Sequence, residues 1–258
     1  GPPGAGKSTL LSGLVSAGRA AGRRVAVLAV DPSSPFSGGA LLGDRVRMTR
    51  HNGDDGVFIR SMATRGHHGG LSAAALDTVT ILTAAGYDDI YVESVGVGQS
   101  EVGILTLADV VLLVLNPGAG DEIQALKAGV MEIGDIYVIN KADYPGVESL
   151  ERELVEVCDN VQRNSVTPVV MKTVASAGDG VSALYETIDR HYDALGREGE
   201  LARRRRERMA DAVAEFAYKM LVDVFNCKDT APIAVDMILE AGSHDPGPKA
   251  GRIENPDE

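Results

Sequence analysis

The sequence predicts an α/β fold: a mostly parallel sheet with helices on both faces, followed by a helical appendage. Three observations carry this expectation. A glycine-rich phosphate-loop pattern, GPPGAGKST, opens the chain and runs straight into an amphipathic stretch. Short apolar runs then alternate with helical periodicity as far as about residue 194, as parallel strands joined by helical crossovers do. From Arg197 the strand signals stop and only helical patterning continues.

In chain order, Lys7 to Ala21 places Leu10, Leu11, Leu14 and Val15 on one helical face, and Gly22 ends it. Val25 to Val30 reads as a buried strand that delivers Asp31 at its end. A polar, glycine-rich stretch, DPSSPFSGGALLGDRVRM, separates it from a short strand at VFIRSM. The loop ATRGHHGG leads into a helix from about Leu71 to Ala85. Strands follow at DDIYVESV, DVVLLVLN, DIYVIN and TPVVMKTV, with helices at Glu122 to Ile133, Val147 to Val161 and Val181 to Ala194. A long helix is expected over REGELARRRRERMADAVAEFAYKMLVDVF and another over TAPIAVDMILEAG. The expected organisation is a nucleotide domain over 1–195, a helical segment for dimerisation or partner binding over 196–242, and a disordered Pro/Gly-rich tail over 243–258. A phosphate loop normally hangs from a buried strand, so this reading takes the domain to lack its first strand and its natural N-terminus.

Composition removes several function classes. Lys plus Arg number 25 against 37 Asp plus Glu, a net charge of −12, which argues against general nucleic-acid binding. The run Arg203 to Arg206 reads most simply as a solvated helical face. No apolar run is long enough to cross a bilayer, so no membrane partner is expected. Cys158 and Cys227 stand far apart in no metal-ligand spacing and fit a reduced, cytoplasmic compartment.

The chemistry-bearing motifs are ordered as a P-loop NTPase requires. Gly1, Gly6, Lys7 and Ser8 fit G-x-x-x-x-G-K-[ST], with Gly4, Ala5 and Thr9 in the same loop. Backbone N–H groups would converge on phosphate oxygens, Lys7 would reach the β- and γ-phosphates, and the Ser8 hydroxyl would ligate Mg²⁺. Asp31, Asp44 and Glu93 follow strand ends or flank the intervening loop, where hard oxygens can hold Mg²⁺ directly or through water; strand-terminal caps are the plainer alternative. Gly96 lies where an N–H would meet a γ-phosphate, and Gln99 could orient water. NKAD, Asn140 to Asp143, follows a strand directly. The Asp143 carboxylate can accept two hydrogen bonds from the guanine edge, a pairing that adenine cannot supply, while Asn140 and Lys141 hold the loop and cover the base. Backbone groups of Val174 and Ala175 would complete the base pocket. The loop NPGAGDEIQALKAG reads either as a mobile switch or as a helix start capped by Asp121.

Taken together, GPPGAGKST, AVLAVDPSSPFSGGALLGDRVRM, FIRSMATRGHHGG, VESVGVGQSE, PGAGDEIQALKAG and INKAD closely resemble the MeaB/ArgK group of P-loop GTPases. These are GTPase chaperones of adenosylcobalamin-dependent methylmalonyl-CoA mutase. The resemblance covers about Gly1 to Ala194, more loosely the C-terminal helices. It implies GTP/GDP and Mg²⁺ as ligands, with Lys7 and Ser8 on phosphate and metal. Asp31, Asp44 and Glu93 would surround Mg²⁺ and the attacking water, and Asn140, Lys141 and Asp143 would read guanine. Asp121, Gln124 and Lys127 would form a third switch coupling the mutase to hydrolysis. It further implies a homodimer joined through C-terminal helices, working in the cytoplasm, or in the mitochondrial matrix of a eukaryote. Two alternatives stand beside it. One is a small-molecule kinase for basic-amino-acid transport, against which NKAD speaks. The other is a nickel-insertion GTPase, but Cys158 and Cys227 stand alone, and the adjacent pair His67 and His68 reads as a loop contact rather than a ligand site.

Overall fold

The structure is a computed structural model that describes residues 1–31, 49–51, 53–63, 73–94, 107–118, 134–160 and 166–226. The expected helices at Glu122 to Ile133 and over TAPIAVDMILEAG, the tail, and the pair His67 and His68 lie outside the described residues.

Helix α1 (Lys7–Ala20) leads into strand β1 (Val25–Asp31), then a 3₁₀ turn (Thr49–His51) and β2 (Val57–Ala63). Helix α2 (Ala73–Ala84) precedes β3 (Asp89–Ser94), β4 (Leu112–Leu115) and β5 (Ile136–Asn140). Helix α3 (Val147–Asn160), β6 (Val169–Thr173), α4 (Val181–Arg197) and α5 (Glu200–Asn226) complete the order. Every strand pairing is parallel. The expected single sheet is resolved into two of three strands, ordered β2-β1-β3 and β4-β5-β6.

Alternation along each central strand explains the layers. In β1, Val25 and Val27 face Leu11 and Val15 of α1, whereas Ala26 and Leu28 face Leu82 of α2. In β5, Ile136 and Val138 pack with Leu10 and Leu14 of α1 and Leu184 of α4. Tyr137 and Ile139 turn the other way, onto Leu150, Leu154 and Cys158 of α3. The apolar stripe expected on α1 is therefore split between the sheets, and Tyr91 of β3 touches both clusters. Each such leucine contributes about 1.5–3 kcal/mol by leaving water. β5 is buried on both faces, which is why it reads as one apolar run.

β4 is shorter than DVVLLVLN suggests, because a carboxylate intervenes. Asp135 accepts a hydrogen bond from the Val111 amide at 2.8 Å, and the amides of Asp135 and Ile136 both donate to the Val111 carbonyl. Residues ahead of Leu112 therefore form a fixed bend rather than a ladder. The two C-terminal helices are separated by Glu198 and Gly199, the latter at φ 74°, so the long helix starts at Glu200.

The solvated reading of Arg203 to Arg206 is corrected here. Arg204 grips Asp135 with two nitrogens at 2.8 and 2.9 Å and also donates to the Asp109 carbonyl. Arg205 and Arg208 both hold the Asp109 carboxylate, and Arg203 pairs with Glu200 and Glu207. Arg206 is exposed, as expected. The reason lies across the chain: two carboxylates sit at the entrances to β4 and β5, within reach of one face of α5.

The chain divides into two compact units, Gly1–Arg208 and Met209–Glu258. In the second, the described residues continue α5, where Met209, Val213, Phe216, Met220 and Val224 recur at three- to four-residue spacing as an apolar stripe, of which Met209, Val213 and Met220 are exposed. Phe216 and Val224 lie outside the described side chains. Among the described residues no helix is long and apolar enough to cross a membrane.

Burial opposes ionisation of Asp135, but its neighbours His191 and Arg204 outweigh that and hold the carboxyl below the usual range. His191 Nε2 lies 3.7 Å away, beyond good hydrogen-bond length, so Arg204 does most of this. Burial likewise opposes the Asp109 charge, and Arg205 and Arg208 overcome it. A depressed carboxylate stabilises the fold fully above its unfolded value, about pH 4, and that contribution fades as pH falls through the folded value. Asp135→Ala, which strands the Arg204 guanidinium, should lower unfolding free energy by about 3–5 kcal/mol in urea denaturation at pH 7, and by less when the pH is brought toward 3. An equal loss at both pH values would contradict this account.

Candidate functional site

The loop Gly1–Gly6 enters α1 through Gly6, at φ 88° in the left-handed region. A side chain there would be strained, and its Cβ would collide with Nδ2 of Asn140. No side chain caps α1 and none of its own first-turn residues is acidic, so its leading amides and positive end are not taken up by a carboxylate of the helix itself. The Lys7 ammonium reaches back over the loop and donates to the carbonyls of Gly1 and Pro2 at 2.7 and 2.9 Å. An N-terminal nest of this kind, with a cation at its mouth, suits a chain of phosphates.

Ser8 and Glu93, 85 residues apart, are brought together: Ser8 Oγ donates to Glu93 Oε1 at 2.6 Å. Glu93 is the penultimate residue of β3, next to β1, whose last residue is Asp31. Glu93 is 7% exposed, an uncommon position for a carboxylate unless something charged is to be met there. A hydroxyl and a carboxylate oxygen side by side at a phosphate nest fit the hard-oxygen donor set of Mg²⁺, with phosphate as a further ligand. The side chain of Asp31, and Asp44, Gly96 and Gln99 entirely, lie outside the described residues, as do Asp121, Gln124 and Lys127.

The NKAD turn is joined to the phosphate loop by one buried side chain. Asn140 Nδ2 donates to the Ala5 carbonyl at 2.8 Å. Its Oδ1 accepts from Thr173 Oγ1 and from the Ala175 amide, each at 3.1 Å. Asn140 thus fastens three segments: the loop, the end of β5 and the turn after β6. The Ala175 amide is committed to Asn140, and the Val174 amide to the Asp179 carbonyl. Lys141 holds φ 56°, the left-handed region, the one non-glycine among the described residues to do so. Asp143 is exposed two residues on, at the same carboxyl end of the sheet.

Sequence reasoning did not find the turn Thr49–His51. His51 Nε2 meets Ser12 Oγ at 3.1 Å on α1, one turn beyond Ser8, and Arg19 binds Asp54 at 2.8 Å nearby. Nothing in the local pattern THR-ARG-HIS marks it; only the fold brings it to α1.

A parallel α/β fold with a phosphate loop opening α1 and an NKAD turn ending a central strand defines a P-loop GTPase. A family model described as the methylmalonyl Co-A mutase-associated GTPase MeaB matches residues 1–230, and the chain belongs to that family. A Pyrococcus horikoshii protein that carries a GTPase designation is 52% identical over 217 residues, 83% of this chain and 68% of that protein. The mouse protein named methylmalonic aciduria type A homolog, mitochondrial, is 37% identical over 210 residues, 80% of this chain and 51% of its own length. Among solved structures, one titled LAO/AO transport system kinase matches 95% of this chain and 76% of its own, at TM-score 0.67 and 26% identity. A nickel-bound HypB from Helicobacter pylori, at TM-score 0.51 and 17% identity over 75% of this chain and 85% of its own, shares the fold.

Asn140→Ala removes three hydrogen bonds at once, worth about 1 kcal/mol each. GTP affinity by isothermal titration should fall about 10- to 100-fold. A loss below about threefold would show that the loop is held by other contacts.

Proposed function

We propose that this chain is a Mg²⁺-dependent GTPase that gates adenosylcobalamin loading of methylmalonyl-CoA mutase, or of a related acyl-CoA mutase, and protects that enzyme. The observation that carries this reading is the family match over residues 1–230. The name of the mouse relative points the same way.

In this reading Lys7 draws charge from the β- and γ-phosphates. Ser8 and Glu93, with Asp31 and Asp44, hold Mg²⁺ directly or through water. Mg²⁺ bound there neutralises charge on the phosphate oxygens. Gly96 contacts the γ-phosphate and Gln99 orients the attacking water. Asp143 pairs with the guanine edge while Asn140 and Lys141 set the turn. Asp121, Gln124 and Lys127 transmit the mutase's presence to the hydrolytic centre. A slow intrinsic rate is expected until the partner completes the site. The exposed stripe Met209, Val213 and Met220 on α5 is the surface we assign to a second copy, giving a homodimer that works in the cytoplasm.

Asp143→Asn should weaken GTP by at least about tenfold and favour xanthosine triphosphate, whose edge offers an acceptor to the new amide. Unchanged GTP preference in a competition assay would remove the guanine assignment. For the partner, co-purification with candidate acyl-CoA mutases, with the GTPase rate measured with and without each, should single out one that binds and accelerates hydrolysis. No acceleration by any of them would overturn the chaperone reading. The solved structure titled as a transport kinase motivates one control. Label from γ-labelled GTP should appear in inorganic phosphate, and transfer to arginine would favour the kinase instead.

A further inference from the structure

The nucleotide reading leaves one built feature unused: the arginines at the start of α5. Beyond Glu200 of their own helix and the Tyr192 hydroxyl of α4, Arg204, Arg205 and Arg208 reach two short loops, Ala108 and Asp109 at the entrance to β4 and Asp135 at the entrance to β5. The outlets of those same two strands touch the phosphate loop. Asn140, closing β5, holds the Ala5 carbonyl, and Gly1 lies so close against the Val114 carbonyl of β4 that no Cβ would fit. Asp135 and Asn140 stand five positions apart, about 16 Å of fully buried strand.

The grip has two tiers. In the inner tier the Arg204 and Asp135 side chains are 17% and 5% exposed, shielded from salt and fixed in a two-pronged geometry. In the outer tier Asp109 is 24% exposed and held from two sides, by Arg208 at 13% and by Arg205 at 53%, so that only the Arg205 bond is open to water and easily loosened. Glue alone would not call for this arrangement. Buried ion pairs hold elements no better than apolar packing does; what they add is a single register, lost when a partner moves. Beyond Arg208 the same helix carries the exposed Met209, Val213 and Met220.

We infer that Arg204, Arg205 and Arg208 form a clasp that makes the seating of α5 respond to the nucleotide held at the opposite ends of β4 and β5. The clasp rests on the GTPase reading of that site. Arg204 and Arg208, on Asp135 and Asp109, are the hinge, and the exposed pair of Arg205 with Asp109 is the part that opens. These are positioning residues: none touches the nucleotide, and their effect is on a helix whose apolar face is offered to another chain.

The test is hydrogen exchange of α5 amides in the full chain with GDP and with a non-hydrolysable GTP analogue. The unaltered protein should show exchange rates in α5 differing by about threefold or more between the two states. Asp109→Asn, and separately Arg205→Ala at its half-exposed site, should erase that difference while nucleotide affinity stays within about twofold. A merely structural role would lower protection equally in both states and leave their ratio alone. Identical α5 exchange in both states of the unaltered protein, or a ratio preserved in Arg205→Ala and Asp109→Asn, overturns the clasp. Failure of the unaltered protein to bind either nucleotide would instead overturn the GTPase reading, so the two failures are told apart.

Discussion

Helix α1 is the element on which the other parts depend. It lies across two three-stranded sheets and is packed into both, with Leu11 and Val15 on one and Leu10 and Leu14 on the other. A helix with a single apolar stripe could serve one sheet; here adjacent pairs of the stripe diverge by the 100° between neighbouring residues and so face different partners. Its far end is tied as well. Arg23, just past α1, binds Asp89 at the start of β3 and Asp189 of α4, so the exit of α1 is fixed to both halves of the core. A phosphate loop needs rigid support because its amides must converge before the ligand arrives, and support from two sheets supplies it.

The site inherits that rigidity through few contacts. Asn140 converts the end of the most buried strand into a strut under the phosphate loop, and Ser8 lies against Glu93 from the other sheet. One contact reaches each sheet from the first residues of α1 or its loop. The phosphate loop and the NKAD turn are therefore mechanically linked through Asn140. At the strand outlets Glu93 meets the Ser8 hydroxyl beside the phosphate loop, while the acid groups at the inlets, Asp89, Asp109 and Asp135, all bind arginine. Charge is thus sorted by strand end.

Much of this was legible in the order of residues. The α1 stripe, the doubly apolar β5 and the alternation of strands and helices follow from side-chain periodicity, which is local. The motif residues Lys7, Ser8, Glu93 and Asn140 were legible as types, but the Ser8–Glu93 contact spans 85 residues and the bond from Asn140 to Ala5 spans 135. The arginine run was misread for the same reason. Arg204 and Asp135 are 69 residues apart, and nothing near either names the other. His51 on Ser12 and the shortened β4 also depend on contacts across the chain. Periodicity tells which face is apolar; it does not tell which carboxylate a buried guanidinium will find.

Cys158 gives the packing a further consequence. It sits in the apolar layer between α3 and the second sheet, and burial pushes its thiol up to about 11. Thiolate is scarce at neutral pH and the sulfur is screened from reagents, so attack by an alkylating probe must wait for α3 to lift away. The protein therefore carries an internal clock. The rate at which Cys158 is capped counts openings of that layer, on the side of the second sheet away from α1, independently of nucleotide turnover.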